Sequence, residues 1–306
     1  MEFTTNSQIF STWLKNLKLD GVSDKTIRWY GYGIQRFNKY TPKPYDKVTV
    51  DDIKNFVIWL KDNGYSTSTQ QGNYKTLKIF FGYLADNDYI EINPFNKQKA
   101  PKFDTKQIYS FKTPEVVEIL SSFDKKTFQG YRDYAIFSTL LSTGIRKSEL
   151  VSMKVSDVAQ DGVGYFRVIG KGNKVRIIPI GNALAKILKK YIKRRRKFLE
   201  TKNKPSPYYL WVNNRGDSLT ASGVDGIFDR LKELDYPWST RVSAHTVRHT
   251  FAVTFLVNGG DVFSLQKIMG HSDISTTKVY IDLKTDYIKR QGDNFNPLDN
   301  TTWRMY

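Results

Sequence analysis

Through residues 1–95 the apolar side chains recur at helical rather than strand spacing, in four blocks that each end at a turn signal. Phe10, Trp13, Leu14 and Leu17 form the first stripe, and Asp20-Gly21 stops it. Ser23-Asp24 caps a second helix through Ile27, Trp29, Tyr30, Ile34 and Phe37, which ends before Thr41-Pro42-Lys43-Pro44. A third opens at Thr49-Val50-Asp51-Asp52, carries Ile53, Phe56, Val57 and Leu60, and stops at Asn63-Gly64. A fourth follows Ser66-Thr67-Ser68 and runs through Tyr74, Leu77, Ile79, Phe80 and Leu84 until Asn93-Pro94-Phe95. Such a block has to fold as a small helical bundle. The 306-residue length leaves room for a second domain beyond it.

The stretch 96–112 is lysine-rich and lacks periodicity, so it is read as a linker. Thr113-Pro114-Glu115 starts a helix with proline at its first position. The second domain, 113–306, is mostly helical with one clear β signal. There, Tyr165–Ile169 and Val175–Ile178 flank Gly170-Lys171-Gly172-Asn173-Lys174, a hairpin with a glycine-rich turn. Near 183–199, Leu184, Ile187, Leu188, Tyr191 and Ile192 form an apolar stripe. Lys189, Lys190, Lys193, Arg194 and Arg196 lie elsewhere, as a solvated face or as phosphate contacts.

The net charge of +18 is concentrated in residues 101–306, which hold 34 Lys and Arg against 20 Asp and Glu. An excess of this size favours a polyanionic partner through counterion release, with nucleic acid foremost. No apolar run is long enough to span a membrane, no secretory signal is visible, and the chain has no cysteine for a disulfide or a thiolate zinc site. A cytoplasmic protein is expected.

Three segments can carry chemistry. In Ser142-Thr143-Gly144-Ile145-Arg146-Lys147-Ser148-Glu149-Leu150, Gly144 ends one helix and Arg146 opens the next, beside free N–H groups suited to a phosphate. Glu149, one turn on, can orient that guanidinium, although a plain Arg–Glu surface pair has the same spacing. In His245-Thr246-Val247-Arg248-His249-Thr250-Phe251, His245 and Arg248 share a helix face and can donate to one phosphate oxygen. His249 is displaced from that pair and fits a structural role. In Gly270-His271-Ser272 followed by Tyr280, glycine ends a helix and a serine caps the next.

In this order the segments resemble the catalytic domain of tyrosine recombinases, the phage-integrase family that includes the Xer proteins. The resemblance rests on Gly144-Ile145-Arg146-Lys147-Ser148-Glu149-Leu150, on His245-Thr246-Val247-Arg248, and on Gly270-His271 with a tyrosine nine residues later. The family's hairpin lysine matches Lys171, with Lys174 close by. The resemblance implies a mainly α (α+β) fold. Its parts would be an all-helical core-binding domain (1–95) and a mostly helical catalytic domain (113–306) with a small antiparallel β-sheet. No separate arm-binding domain is expected.

It also implies a site-specific recombinase that cuts and rejoins DNA through a 3′-phosphotyrosine. Tyr280 would be the nucleophile, Arg146 and Arg248 the phosphate clamp, and Glu149 their support. His245 and His271 would be further donors, His245 also a candidate base, and Lys171 the acid for the departing 5′-oxygen. Arginine's planar fork suits the pentavalent phosphorus better than a point charge does. The covalent bond conserves the phosphodiester's energy, so neither ATP nor a metal cofactor is expected. The implied partners are double-stranded DNA with specific sites and copies of the chain, a tetramer on two sites joined through the tail after Tyr280.

Three other classes are weighed. A zinc hydrolase would use His245 and His249, four apart, but no glutamate base stands between them and Arg248 would repel the cation. A non-catalytic DNA-binding protein leaves the grouping of these residues unexplained. A type IB topoisomerase shares the chemistry but releases supercoils instead of swapping strands, and the compact helical N-terminal domain plus linker favours a recombinase clamp. The target sequence and the biological task, whether dimer resolution, integration or excision, are not legible.

Overall fold

The computed structural model describes residues 5–96, 100, 101, 103, 109–158, 164–170, 175–271, 277 and 280. These hold eleven α-helices and a two-stranded antiparallel sheet. The chain divides into two compact units, 1–107 and 108–306.

The first unit is a bundle of α1 (Asn6–Leu19), α2 (Asp24–Tyr40), α3 (Val50–Asp62) and α4 (Thr67–Asp86). Each opens on a hydroxyl: Thr5, Ser23, Thr49 and Ser66 accept from the N–H three residues on. Thr5 with Gln8 and Thr49 with Asp52 complete reciprocal capping boxes. The stripes meet in an aromatic core, where Trp13, Phe37, Phe56, Phe80 and Phe81 are fully buried. Ring edges meet ring faces there: Phe37–Phe56 at 5.2 Å and Tyr45–Phe80 at 4.9 Å. Two residues counted in the sequence stripes face outward, Trp29 at 46% and Ile79 at 43% exposure. Each sits two positions from a stripe member, about 200° around the helix. The last helix also ends at Asp86, before the Asn93-Pro94 break.

The second unit contains α5 (Thr113–Ser122), α6 (Phe128–Thr143), α7 (Lys147–Val151), β1 (Tyr165–Ile169), β2 (Val175–Pro179), α8 (Asn182–Thr201), α9 (Ala221–Lys232), α10 (Ala244–Val257) and α11 (Val262–Met269). Helix α6 is buried almost all round through Ala135, Ile136, Phe137, Thr139 and Leu140, and packs against both α8 and α10. The strands pair from Tyr165↔Pro179 to Ile169↔Val175. Residues 171–174, the hairpin tip with Lys171 and Lys174, lie outside the described residues. The same holds for everything after Tyr280.

The basic helix α8 divides its cations between two tasks. Lys189, Lys193 and Arg196 are exposed. Arg194 instead donates to the Lys125 carbonyl at 2.7 Å and lies 4.4 Å over the Tyr131 ring. Arg195 is buried and ties down the 206–210 segment through the carbonyls of Pro207, Tyr209 and Leu210.

Trp13 is the largest fully buried side chain of the first unit. Trp13→Ala should lower that unit's stability by about 3–5 kcal/mol. The check is urea denaturation: one transition moves to lower urea while the other unit's stays in place.

Candidate active site

Two left-handed glycines shape the site. Gly144 ends α6 at φ 59°, and Gly270 ends α11 at φ 64°. Any Cβ would be strained at either, and at Gly144 it would also lie 2.3 Å from the Phe251 ring. The Gly144 turn lets Arg146 become the N-cap of α7. Its N–H donates to Glu149 Oε2 at 2.9 Å and its Nη1 to Oε1 at 3.1 Å.

The C-terminus of α11 is the focus of the site. Its last carbonyls have no partner within the helix and carry the negative end of its dipole. Three guanidinium groups gather there on successive residues. Arg176 Nε donates to Ile268 O at 2.8 Å, Arg248 Nη2 to Met269 O at 2.8 Å, and Arg146 Nη2 to Gly270 O at 3.0 Å. Arg248 also donates to the Gly144 carbonyl, so it joins the ends of α6 and α11. Beneath them, Glu149 receives Arg176 through Nη1 at 2.9 Å and Nη2 at 2.6 Å. Burial raises the Glu149 pKa, but hydrogen bonds from Arg176 and from the Arg146 backbone, with both positive charges, outweigh it and hold the carboxyl below its usual range. Burial, then the neighbouring Arg146, brings Arg248 down to about 10, so it stays charged at neutral pH.

His271 follows the glycine cap. Its Nε2 lies 2.9 Å from Arg248 Nη2 and its Nδ1 2.9 Å from Thr277 Oγ1. Arginine only donates, so Nε2 is the acceptor and the neutral ring carries its hydrogen on Nδ1, toward Thr277. Burial, then Arg248, Arg146 and Arg176, depress the His271 pKa to about 4. At neutral pH in the free chain this imidazole is therefore an acceptor.

Tyr280 is 4% exposed and packs with Ala252, Leu256, Leu265 and Met269. Burial raises the phenol's pKa, and the charge of Arg248 opposes the rise. The hydroxyl lies 2.7 Å from Nδ1 of His249. The His245 ring stands edge-on to His249 at 4.1 Å. Thus Arg146, Glu149, Arg248, His271 and Tyr280 gather around α10 and the end of α11, with His245 one turn before His249.

Residues 110–286 match the phage integrase family, and residues 9–91 match the phage integrase N-terminal SAM-like domain. The chain belongs to the phage integrase family. It is 32% identical to the tyrosine recombinase XerD of Oceanobacillus iheyensis, over 90% of this chain and 94% of that one. It is 33% identical to the tyrosine recombinase XerC of Thermodesulfovibrio yellowstonii, over 96% and 98%. Its fold matches that of the Tn1549 transposon integrase in complex with transposon right end DNA, with a TM-score of 0.75, 24% identity, and 95% and 99% coverage. The chain is thus a site-specific tyrosine recombinase.

Against this background two residues stand out that the integrase-type motifs did not single out for the site. Arg176 sits mid-strand in Val175-Arg176-Ile177-Ile178, and only its inward side in β2 marked it as different from a solvated charge. His249 takes the position at the phenol that the motif reading offered to His245. The sequence signal was the i, i+4 spacing of the two histidines, which brings both onto one face of α10.

The depressed His271 pKa has a definite consequence for stability. Unfolded, the ring titrates near its ordinary value of 6.5; folded, it resists protonation until about 4. The unfolded state binds the extra proton in that window, so stability is fully present above about 6.5 and is lost as pH falls toward 4. Melting curves between pH 7 and 4 should show a shallower decline for His271→Gln than for the unsubstituted chain.

Proposed function

We propose that this recombinase cleaves and rejoins double-stranded DNA at specific sites, with Tyr280 as the nucleophile that forms a 3′-phosphotyrosine bond. The observation that carries the reading is the gathering of Arg146 and Arg248 on adjacent carbonyls at the end of α11, with the Tyr280 hydroxyl inside the field of Arg248. The net charge of +18 and the DNA held by the Tn1549 integrase support DNA as the polyanion.

In the proposed reaction the two guanidinium groups face the non-bridging oxygens, whose negative charge grows as the phenol oxygen adds to phosphorus. Both are already fixed by carbonyls and Glu149, so little reorganisation accompanies the step. His245, in the first turn of α10, supplies a further donor. His271 joins them once the anionic phosphate favours a proton on Nε2, against the burial and the three arginines that keep the ring neutral in the free chain. The P–O5′ bond then breaks, and Lys171 on the hairpin gives the departing oxygen its proton. A 5′-hydroxyl from a second strand reverses each event and releases Tyr280, with no ATP and no metal. Exchange between strands needs more than one active site, which favours a tetramer on two DNA sites over a type IB topoisomerase acting alone.

The receiving surface for a neighbouring copy's tail is the apolar groove of about 620 Å³ lined by Phe111, Val116, Leu141, Phe251 and Phe255. The tail's Phe295, Trp303 and Tyr306 supply matching aromatic groups. No helix among the described residues is long and apolar enough to cross a membrane.

Tyr280→Phe should retain DNA affinity yet leave no protein covalently attached to a nicked suicide substrate, on which the first cleavage is trapped. An adduct of normal yield in that variant would overturn the assignment. Removing residues 288–306 should weaken cooperative assembly on paired sites more than binding to a single site. Gel-shift titrations check this, and equal losses would count against tail exchange.

A further inference from the structure

We infer that His249 is a catalytic residue, the proton acceptor for the Tyr280 phenol. The inference rests on Tyr280 being the nucleophile and adds a role that the motif reading gave to His245. Geometry supplies the first reason: His249 Nδ1 lies 2.7 Å from the reacting oxygen, inside hydrogen-bond range for a direct transfer. The second reason is the helix. His245 is the second residue of α10, while His249 stands one full turn deeper, with its ring centroid 5.5 Å from that of Tyr280. The third is orientation, since the His245 ring packed edge-on at 4.1 Å restricts how the His249 ring can turn.

A buried phenol holds its proton tightly, so it enters the reaction as the donor in this pair, with Nδ1 unprotonated and the neutral ring's hydrogen on Nε2. During attack the phenol oxygen bonds to phosphorus and its proton passes to Nδ1. The P–O5′ bond breaks, and its electron pair leaves with the 5′-oxygen, which takes a proton from the acid on the other side. In rejoining, the incoming 5′-hydroxyl gives up its proton on that side, and His249 returns its own to the departing phenolate. Each turnover leaves both groups as they began.

A phenol made more acidic should depend less on its base, and that separates proton transfer from mere packing. On a suicide substrate, with the adduct mapped to residue 280, His249→Gln should slow covalent attachment by about 10²-fold while DNA affinity and the melting curve stay close to normal. With a trifluorotyrosine placed at 280, the same substitution should slow attachment by less than about 10-fold. Equal deficits with tyrosine and with fluorotyrosine would reduce His249 to a packing role. Faster attachment in His249→Gln would make it a latch that holds the phenol back. Either outcome overturns the inference. An adduct on another residue in the unsubstituted chain would instead remove the nucleophile assignment on which this one stands.

Discussion

Three positive side chains drawn from distant parts of the chain share one helix end. The carbonyls of Ile268, Met269 and Gly270 face Arg176, Arg248 and Arg146 in turn. Bringing three guanidinium groups together raises their mutual repulsion and strips water from at least one, Arg248, which is 5% exposed. The free carbonyls of α11, the Gly144 carbonyl and the Glu149 carboxylate offset that cost. Without them the pocket would hold an uncompensated charge, and breaking such an arrangement typically destabilises by about 3–5 kcal/mol. The same carbonyls aim the arginines, so stability of the free chain and readiness for an anion have one origin.

The arrangement also sets the protonation state of its neighbours. Burial, with three cations nearby, holds His271 neutral, while Glu149 stays ionised despite burial. Tyr280 feels the opposite balance: burial outweighs the attraction of Arg248, and the phenol keeps its proton. A positive pocket by itself does not ionise a buried tyrosine, which is why a proton acceptor in direct contact with it matters.

Much of this was legible in the sequence, and the parts that were not share a cause. Ser23, Thr49 and Ser66 marked helix starts because capping is local, and the hairpin strands followed from alternation around a glycine-rich turn. Gly144, Arg146 and Glu149 lie within six consecutive residues, so their relation could be read from spacing. Arg176 could not, because its partners Glu149 and Ile268 are 27 and 92 residues away. Arg195 was hidden for the same reason, sitting in a basic run with carbonyl partners in a later segment. His249 was visible, but a face shared on a helix does not say which of two imidazoles meets a group brought in from residue 280. Trp29 and Ile79 erred the other way: hydrophobicity placed them in stripes that the helix rotation turns outward.

The anchors of the arginine cluster belong to the main chain, which has a consequence for how the site tolerates change. A carbonyl is present whatever side chain the codon specifies, so drift at Ile268 or Met269 among apolar residues of similar size leaves the acceptors where they were. Fragility moves to Gly144 and Gly270, where the backbone itself is set, and to the reading of length. One residue inserted into α11 would rotate its end by about 100° and offer the arginines the wrong carbonyls. Lineages carrying this site should therefore accept substitutions along α11 far more readily than insertions or deletions.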